Sequence, residues 1–326
     1  MIFLRTNTDF PPLNLATEEY YLKNSADDYF MLWQNSPVVV IGKNQNVYDE
    51  VDLDYAREHS VYVVRRITGG GAVYHDQGNV NYSFITSASK ASSLDFEYFT
   101  RPVILALESL GVHASLSGRN DLVAGGAKIS GSAQYSTGSR ILHHGTLLFD
   151  ADLDILSKVL KPAPQKFLSK NIQSVRSRVV NVRSLCRDDI SGAGEFMDAL
   201  EKYVCDYFGC SPAVSDEAAV RSSGLVDKYL SEDYNFGRRK HYAFKREKRF
   251  PFGTLAVCFD VAEGVISDIR FEGDFFSLID TDPLVAFLQG APYTKSGLLG
   301  RLDQIGVERY FPSIVSSDLA DLILER

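Results

Sequence analysis

The sequence predicts an α+β protein: a mixed or antiparallel sheet with helices packed outside, followed by a small α+β C-terminal unit. Three observations carry this. Short apolar runs and helical patterns are interleaved, without the regular strand–helix alternation of a doubly wound sheet. Several short strands crowd together between Val112 and Asp150. Near residue 240 the composition turns basic and a new hairpin begins. A chain of 326 residues implies about two domains, and the shift divides it into 1–240 and 241–326.

In chain order, Leu13 to Lys23 reads as a helix with Leu15, Tyr20 and Leu22 toward a core. "YFMLW" and "PVVVIG" are strands joined by a turn at Asn35, Ser36 and Pro37. "DLDYAREH" is a short helix with Asp52 as its cap. "VYVVRR" is a strand leading into Gly69, Gly70 and Gly71, and "NVNYSFIT" is the next. A helical pattern runs from Leu94 to Leu110. "VHASL", "DLVA", "AKISG", "SAQYS" and "GTLLFD" follow as strands, and helices resume from Asp152. "GRRKHYAFKREKR" carries seven Lys or Arg. "FGTLAVCFDVAEGVISDIRFEG" is a hairpin turning at Glu263 and Gly264, with two or three short helices after it.

Composition narrows the function classes. A net charge of −8 argues against a protein that coats nucleic acid. The four cysteines, Cys186, Cys205, Cys210 and Cys258, form no CxxC pair, which fits reduced thiols rather than a zinc or disulfide framework. "MIFLRTNTDFPPLN" has no signal-peptide core, and no window approaches the ~20 apolar residues of a membrane span. The expected setting is cytoplasmic, with neither membrane nor nucleic acid as partner.

The chemistry starts at "RRITGGGAVYHDQGNVNYS". The dinucleotide fingerprint fails, because Ala72, Val73 and Tyr74 follow the glycines and no third spaced glycine arrives. "GGAKIS" and "GAPYTKS" fail the Walker pattern. Alone, three glycines are a turn or a bulge. They are also more than a turn needs, and they carry an entropic penalty on folding. Such a backbone lets a ligand lie on its N–H groups. Arg65 and Arg66 stand beside it with forks suited to phosphate or carboxylate, and strand alternation points one of the pair into the site.

Lys128 lies in "AKISGSA", among residues too small to shield it; a solvated amine is one reading, a cation aimed at phosphates the other. His143 and His144 are adjacent, so a strand sends them to opposite faces, one packed and one exposed, and a two-histidine metal site is not expected. "SKNIQSVRSRVVN", Ser169 to Asn181, is basic and hydroxyl-rich, as a solvated loop would be.

Together, "RRITGGGAVYHDQGNVNYS", "GRNDL", "AKISGSAQY", "HHGTLL" and "SKNIQSVRSRVVN" closely resemble lipoate–protein ligases of the A type, over the whole chain. The first ~240 residues look like the catalytic domain of the biotin and lipoyl ligases, a size normal for one domain. The tail looks like the accessory C-terminal domain of one-chain bacterial enzymes. The resemblance implies that lipoate and MgATP react to lipoyl-AMP and pyrophosphate. The lipoyl group then passes to a lysine of apo lipoyl domains, on 2-oxoacid dehydrogenase E2 subunits or the glycine-cleavage H protein. It implies that Arg66, Gly69, Gly70, Gly71, Ala72, Val73 and Tyr74 lie along the nucleotide. By the same resemblance Lys128 matches the family's essential lysine, which touches both carboxylate and α-phosphate. Arg65, His75, Gly131, Ser132, Ala133 and His144 match positions around the lipoyl or adenylate pocket. Asn120 and Asp121 are candidates for placing phosphates or Mg²⁺, Asp121 as the metal ligand. Octanoate is an open alternative substrate.

Three rivals remain. An octanoyl or lipoyl amidotransferase of the same fold needs a core cysteine, and none precedes Cys186. A biotin ligase would carry a different loop at "RRITGGGAVYHD". A degenerate, non-catalytic binder of acyl-adenylates or carriers would not need Arg66, the glycines and Lys128 intact. The basic run Arg238 to Arg249 reads either as a solvated linker or as a steering patch for acidic carrier domains.

Overall fold

A computed structural model describes residues 1–161, 179–187, 190–237 and 240–324. The Ser169–Asn181 segment therefore lies outside the described residues up to position 178, as do Arg238 and Arg239 of the basic run.

The strands are β1 (Ile2–Arg5), β2 (Tyr29–Trp33), β3 (Val38–Ile41), β4 (Tyr62–Arg65), β5 (Val73–His75), β6 (Asn79–Ser87), β7 (Ala114–Ser117), β8 (Asp121–Ala124), β9 (Ala127–Ser136), β10 (Arg140–Leu148), β11 (Ser211–Val214), β12 (Phe244–Phe250), β13 (Gly253–Ala262) and β14 (Val265–Glu272). An eight-stranded sheet runs β11-β1-β2-β6-β10-β9-β8-β7. Its β11/β1 and β1/β2 pairs are parallel and the others antiparallel, so the expected mixed sheet is present. A second sheet, β4-β3-β5, carries the arginines and the strand after the glycines. "AKISG" and "SAQYS" are one ten-residue strand rather than two.

β2 is apolar throughout because both faces of the large sheet are covered. Phe30 and Leu32 join the core under the helices Phe96–Ser109 and Ala193–Phe208, while Tyr29, Met31 and Trp33 join the core under the helix Pro11–Asn24. Two prolines open that last helix, at positions whose N–H groups lack intrahelical partners anyway. It is buried nearly all round: Leu15 and Leu22 are in the core as expected, and Glu18 and Glu19 are as buried as they are. The expected cap holds, with Asp52 accepting from Tyr55 N–H at 3.0 Å, and Asp152, where helices resume, caps its own helix by accepting from Ile155 N–H at 3.0 Å.

The C-terminal unit has its own core around Phe259, Phe271 and Phe311. Its meander β12-β13-β14 turns between β13 and β14 at Glu263 and Gly264. Both turn residues have positive φ, 50° and 75°, as a tight hairpin turn requires. Helices Asp282–Leu288, Lys295–Ile305 and Ser316–Leu324 cover it. The basic run is not a linker: from Phe244 it is the edge strand β12, and its charges suit an exposed edge. Among the described residues, no helix is long and apolar enough to cross a membrane.

Glu19 ties the buried helix to the helix Leu225–Leu230. Lys23, Lys228 and the Tyr229 hydroxyl donate to it at 2.6, 2.6 and 2.7 Å. Burial alone would raise its carboxyl; the bonds from Lys228, Lys23 and Tyr229 outweigh that and hold it below the ordinary 4.5. A depressed folded-state value adds stability that is fully present above the unfolded value and lost as pH falls through the folded one. Glu19→Gln should therefore lower stability by about 3 kcal/mol at neutral pH. It should also flatten the acid limb of a Tm-versus-pH curve; a limb as steep as the wild type's would show that Glu19 is not the group responsible.

Candidate active site

Between β4 and β5 the chain must turn through Gly69, Gly70 and Gly71, and Arg66 holds that turn from beneath. Its Nε donates to Thr68 Oγ1 at 2.8 Å, its Nη1 to the Val40 carbonyl at 3.0 Å, and its Nη2 to the carbonyls of Gly69 and Gly71 at 2.6 and 2.8 Å. Burial pushes the guanidinium down to about 10 against Asp274 and Glu18, which raise it, so it stays a cation at neutral pH. Arg65 points the other way, as alternation requires. It donates to the carbonyls of Gly42, Lys43, Gln45, Tyr234 and Asn235, bracing a neighbouring loop rather than opening to a ligand.

The three glycines have separate physical reasons. Gly70 has φ 85°, a region that favours glycine. A Cβ on Gly69 would meet the Phe275 carbonyl oxygen at 2.3 Å. Gly71 faces the Asp274 carboxylate, 3.4 Å from where its Cβ would be. The backbone resting on this loop is thus the chain's own: Gly70 N–H donates to the Phe275 carbonyl at 3.1 Å. Ala72 and Val73 are half-buried beyond the loop, and Tyr74 is buried, its hydroxyl raised by burial and by Asp76.

The second wall is β8 and β9. Lys128 Nζ lies 2.7 Å from Asp121 Oδ1, each side chain about one-third exposed. Gly131 makes room for it: a Cβ there would sit 2.9 Å from Nζ. Asn120 braces this strand, its Nδ2 donating to the Ser132 carbonyl at 2.7 Å and its own carbonyl accepting from Ser132 N–H at 2.8 Å. Ser132 Oγ meets the Tyr82 hydroxyl at 2.9 Å. Tyr82 reaches it by crossing Gly145, where a Cβ would lie 2.4 Å from its ring. Ala133 packs with Phe96 and Phe276.

The C-terminal unit bridges the two walls. Asp274 faces Gly71 and lies 3.8 Å from Arg119. Phe276 contacts Gly70, packs against Phe96 in a tilted pair with centroids 5.3 Å apart, and lies 4.4 Å under the Arg119 guanidinium. Lys43 pairs with Asp280 at 2.6 Å on the same interface.

Neither adjacent histidine is exposed. They do face opposite ways, but both faces of the sheet are covered. His143 stacks on Phe99 at 4.7 Å on one side. His144 on the other lies 3.0 Å from Glu18 Oε1 and 2.8 Å from Thr68 Oγ1. His75 is locked by a chain of amides. Asn14 Nδ2 gives one proton to Asn35 Oδ1 at 2.9 Å and shares the other between the carbonyls of Gln34 and Thr8, at 2.8 and 3.2 Å. Asn35 Nδ2 must then donate to His75 Nδ1, at 3.1 Å, which puts the ring proton on Nε2. That nitrogen is buried without a partner among the described residues. Burial, with Arg66 and His144 nearby, lowers His75 to about 3, so it is a neutral donor. Glu18 and Thr68 were not singled out from the sequence. The one available signal was a pair of glutamates among apolar residues in a helix.

Similarity to known proteins follows the same plan. Residues 11–205 match the model of the lipoyl protein ligase A/B catalytic domain, and residues 239–323 that of the bacterial lipoate protein ligase C-terminus. Lipoate-protein ligase LplJ of Bacillus subtilis is 38% identical over 99% of this chain and all of its own length. Lipoate–protein ligase 1 of Staphylococcus aureus is 40% identical over the same shares. The structure of P. falciparum LipL1 in complex with lipoate superposes with a TM-score of 0.85 at 25% identity, covering 100% of this chain and 99% of that one. A lipoate-protein ligase A bound with ATP gives 0.61 at 28% identity, covering 72% of this chain and 98% of that one.

Two expectations follow from this geometry. The imidazoles of His75 and His143 are both depressed, chiefly by burial. Their side-chain ¹⁵N signals should show neutral rings from pH 8 down to about 5. Because the unfolded chain takes up those protons first, stability should fall as pH drops below the ordinary 6.5. A ring that titrates near 6.5 would contradict the buried assignment. Separately, Gly69→Ala cannot keep the Phe275 contact without a backbone shift. Limited proteolysis should cut it faster than wild type between the two units, and an unchanged rate would mean the contact does not hold them.

Proposed function

The chain belongs to the lipoate–protein ligase family, and from that premise we propose a two-step route: lipoate is adenylated by MgATP, and the lipoyl group is then passed to a lysine of an apo lipoyl domain. The observation that carries the reading is the Lys128 amine, held beside Asp121 over the space left by Gly131, on the wall facing a glycine loop. Adenylation brings two anions together, so its barrier is electrostatic. A positioned lysine, loop N–H groups and Mg²⁺ answer that barrier, and no protein nucleophile is needed.

In this reading the loop Gly69–Gly71 with Ala72, Val73 and Tyr74 receives the nucleotide, and Arg66 acts by fixing the loop. Lys128 leaves Asp121 to bridge the lipoate carboxylate and the α-phosphate. Asp121, with Asn120 beside it, would then hold Mg²⁺, a cation for which one carboxylate beside substrate phosphates is enough, and the ion would supply charge neutralisation at those phosphates. His75 offers its Nε2 proton to the acyl group, with Gly131, Ser132 and Ala133 along the lipoyl chain. Phe275 withdraws from Gly70 for the nucleotide to enter, and the unit 241–326 acts as the cover that keeps water from the adenylate. In the second step the carrier's lysine amine attacks the acyl carbonyl and AMP leaves; positioning contributes much of that rate.

The archaeal relative at 29% identity is described together with its E2 lipoyl domain. We take E2 lipoyl domains and the glycine-cleavage H protein as the carriers. The exposed charges of β12 (Lys245, Lys248, Arg249) are a surface that would steer such domains if they are acidic. The thioester route has less support. Cys186, Cys205 and Cys210 pack against the helix-side core and Cys258 lies within the C-terminal sheet. Burial raises the thiols of Cys205, Cys210 and Cys258, the wrong direction for a nucleophile.

The test is lipoate-dependent ATP–pyrophosphate exchange with Mg²⁺. Wild type should exchange, and Lys128→Ala should lose about 100-fold or more while keeping its Tm. Exchange retained by the variant would remove Lys128 from the chemistry; no exchange by wild type would remove adenylation.

A further inference from the structure

A relay of buried hydrogen bonds runs from Trp33 to the glycine loop, and its direction follows from the groups in it that can only donate or only accept. The Trp33 indole can only donate, and does so to Ser83 Oγ at 2.8 Å. The Ser83 hydroxyl proton therefore goes to Glu18 Oε1, at 2.5 Å. At the other end the Arg66 guanidinium can only donate, and its Nε bonds Thr68 Oγ1 at 2.8 Å. His144 Nδ1 faces the accepting Glu18 carboxylate at 3.0 Å and so carries the ring proton, and the Nε2 of that neutral tautomer accepts from the Thr68 hydroxyl at 2.8 Å. Glu18, Ser83 and Thr68 are at most 1% exposed and His144 8%. These groups come from a helix, two strands and the loop itself: Glu18 from Pro11–Asn24, Ser83 and His144 from the paired β6 and β10, and Thr68 from the turn after β4.

We propose that Glu18, His144 and Thr68 are positioning residues for nucleotide binding: the Glu18–His144 pair sets the Thr68 hydroxyl so that it accepts from Arg66, and Arg66 then holds the glycine loop in the shape that receives ATP. This rests on the adenylating reading above. The order carboxylate–imidazole–hydroxyl is that of an acyl-transfer triad, but the Thr68 oxygen is capped by Arg66 Nε–H and is closed to any acyl group. The relay instead carries orientation. If it fails, Arg66 loses its Nε partner and keeps the Gly69 and Gly71 carbonyls with one fewer restraint on the ring plane. It also moves His144 from the lipoyl-contact role implied by family resemblance to one behind the nucleotide loop.

The experiment has two arms. In the first, ATP–pyrophosphate exchange is compared for wild type, Thr68→Ser, Thr68→Val and Glu18→Gln. Thr68→Ser keeps the hydroxyl and should stay within about 3-fold of wild type. Thr68→Val should raise the KM for ATP about 10-fold or more, the loss of one hydrogen bond to a charged group, with the KM for lipoate unchanged. Glu18→Gln should shift the ATP value in the same direction by less. A variant that is only less stable would lose kcat with both KM values intact, and that pattern would overturn the proposal. The second arm reads the side-chain ¹⁵N spectrum of wild-type His144, which should carry its proton on Nδ1, opposite to His75. A proton on Nε2 overturns the relay whether or not the protein fold survives substitution. Absence of exchange in wild type, with the His144 tautomer as expected, would fault the adenylating reading and the proposed purpose of the relay, leaving only its geometry.

Discussion

The site depends on one buried cation. Three adjacent glycines have more backbone freedom than any other tripeptide, and a loop proposed to receive a nucleotide must have that freedom removed beforehand. Arg66 removes it from inside, through the carbonyls of Gly69 and Gly71, while its other donors reach the sheet at Val40 and the turn at Thr68. A guanidinium suits this work because its fork is planar and its charge persists on burial. The sheet β4-β3-β5 supplies the geometry: β3 is parallel to β4 and antiparallel to β5, so the loop between β4 and β5 returns over the β3 carbonyls.

Against that fixed loop, the Lys128 wall is built by making space. Gly131 has no Cβ where the amine lies, and Gly145 has none where Tyr82 crosses to brace Ser132. The third participant is the C-terminal unit, whose Asp274, Phe275 and Phe276 touch both walls. Anion, carbonyl and aromatic ring there occupy contacts of the kinds a phosphate and a base would make. The two units are therefore physically coupled through the site itself.

Much of this was legible in the sequence. Short strands interleaved with helical patterns gave the mixed sheet, strand alternation sent Arg65 and Arg66 opposite ways, and the crowding of small residues beside Lys128 marked close packing. The rest was hidden for definite reasons. Glu18 and Glu19 sit at helix positions that read as solvent-facing, and only the layers packed on every side make them buried. His143 and His144 were separated correctly by alternation, but alternation does not say that both faces are covered. Gly69 is glycine because of Phe275, some 200 residues away, a contact no local pattern encodes. The basic run hid the strand β12 because charges that protect an edge look the same as charges on a linker.

The most direct measurement of the central claim is intact-mass analysis of an apo lipoyl domain incubated with this protein, lipoate and MgATP. The account predicts a single lipoyl adduct on one carrier lysine, requiring lipoate, ATP and Lys128 together. An unmodified carrier with folded wild-type protein, or an adduct that forms without ATP, would contradict it.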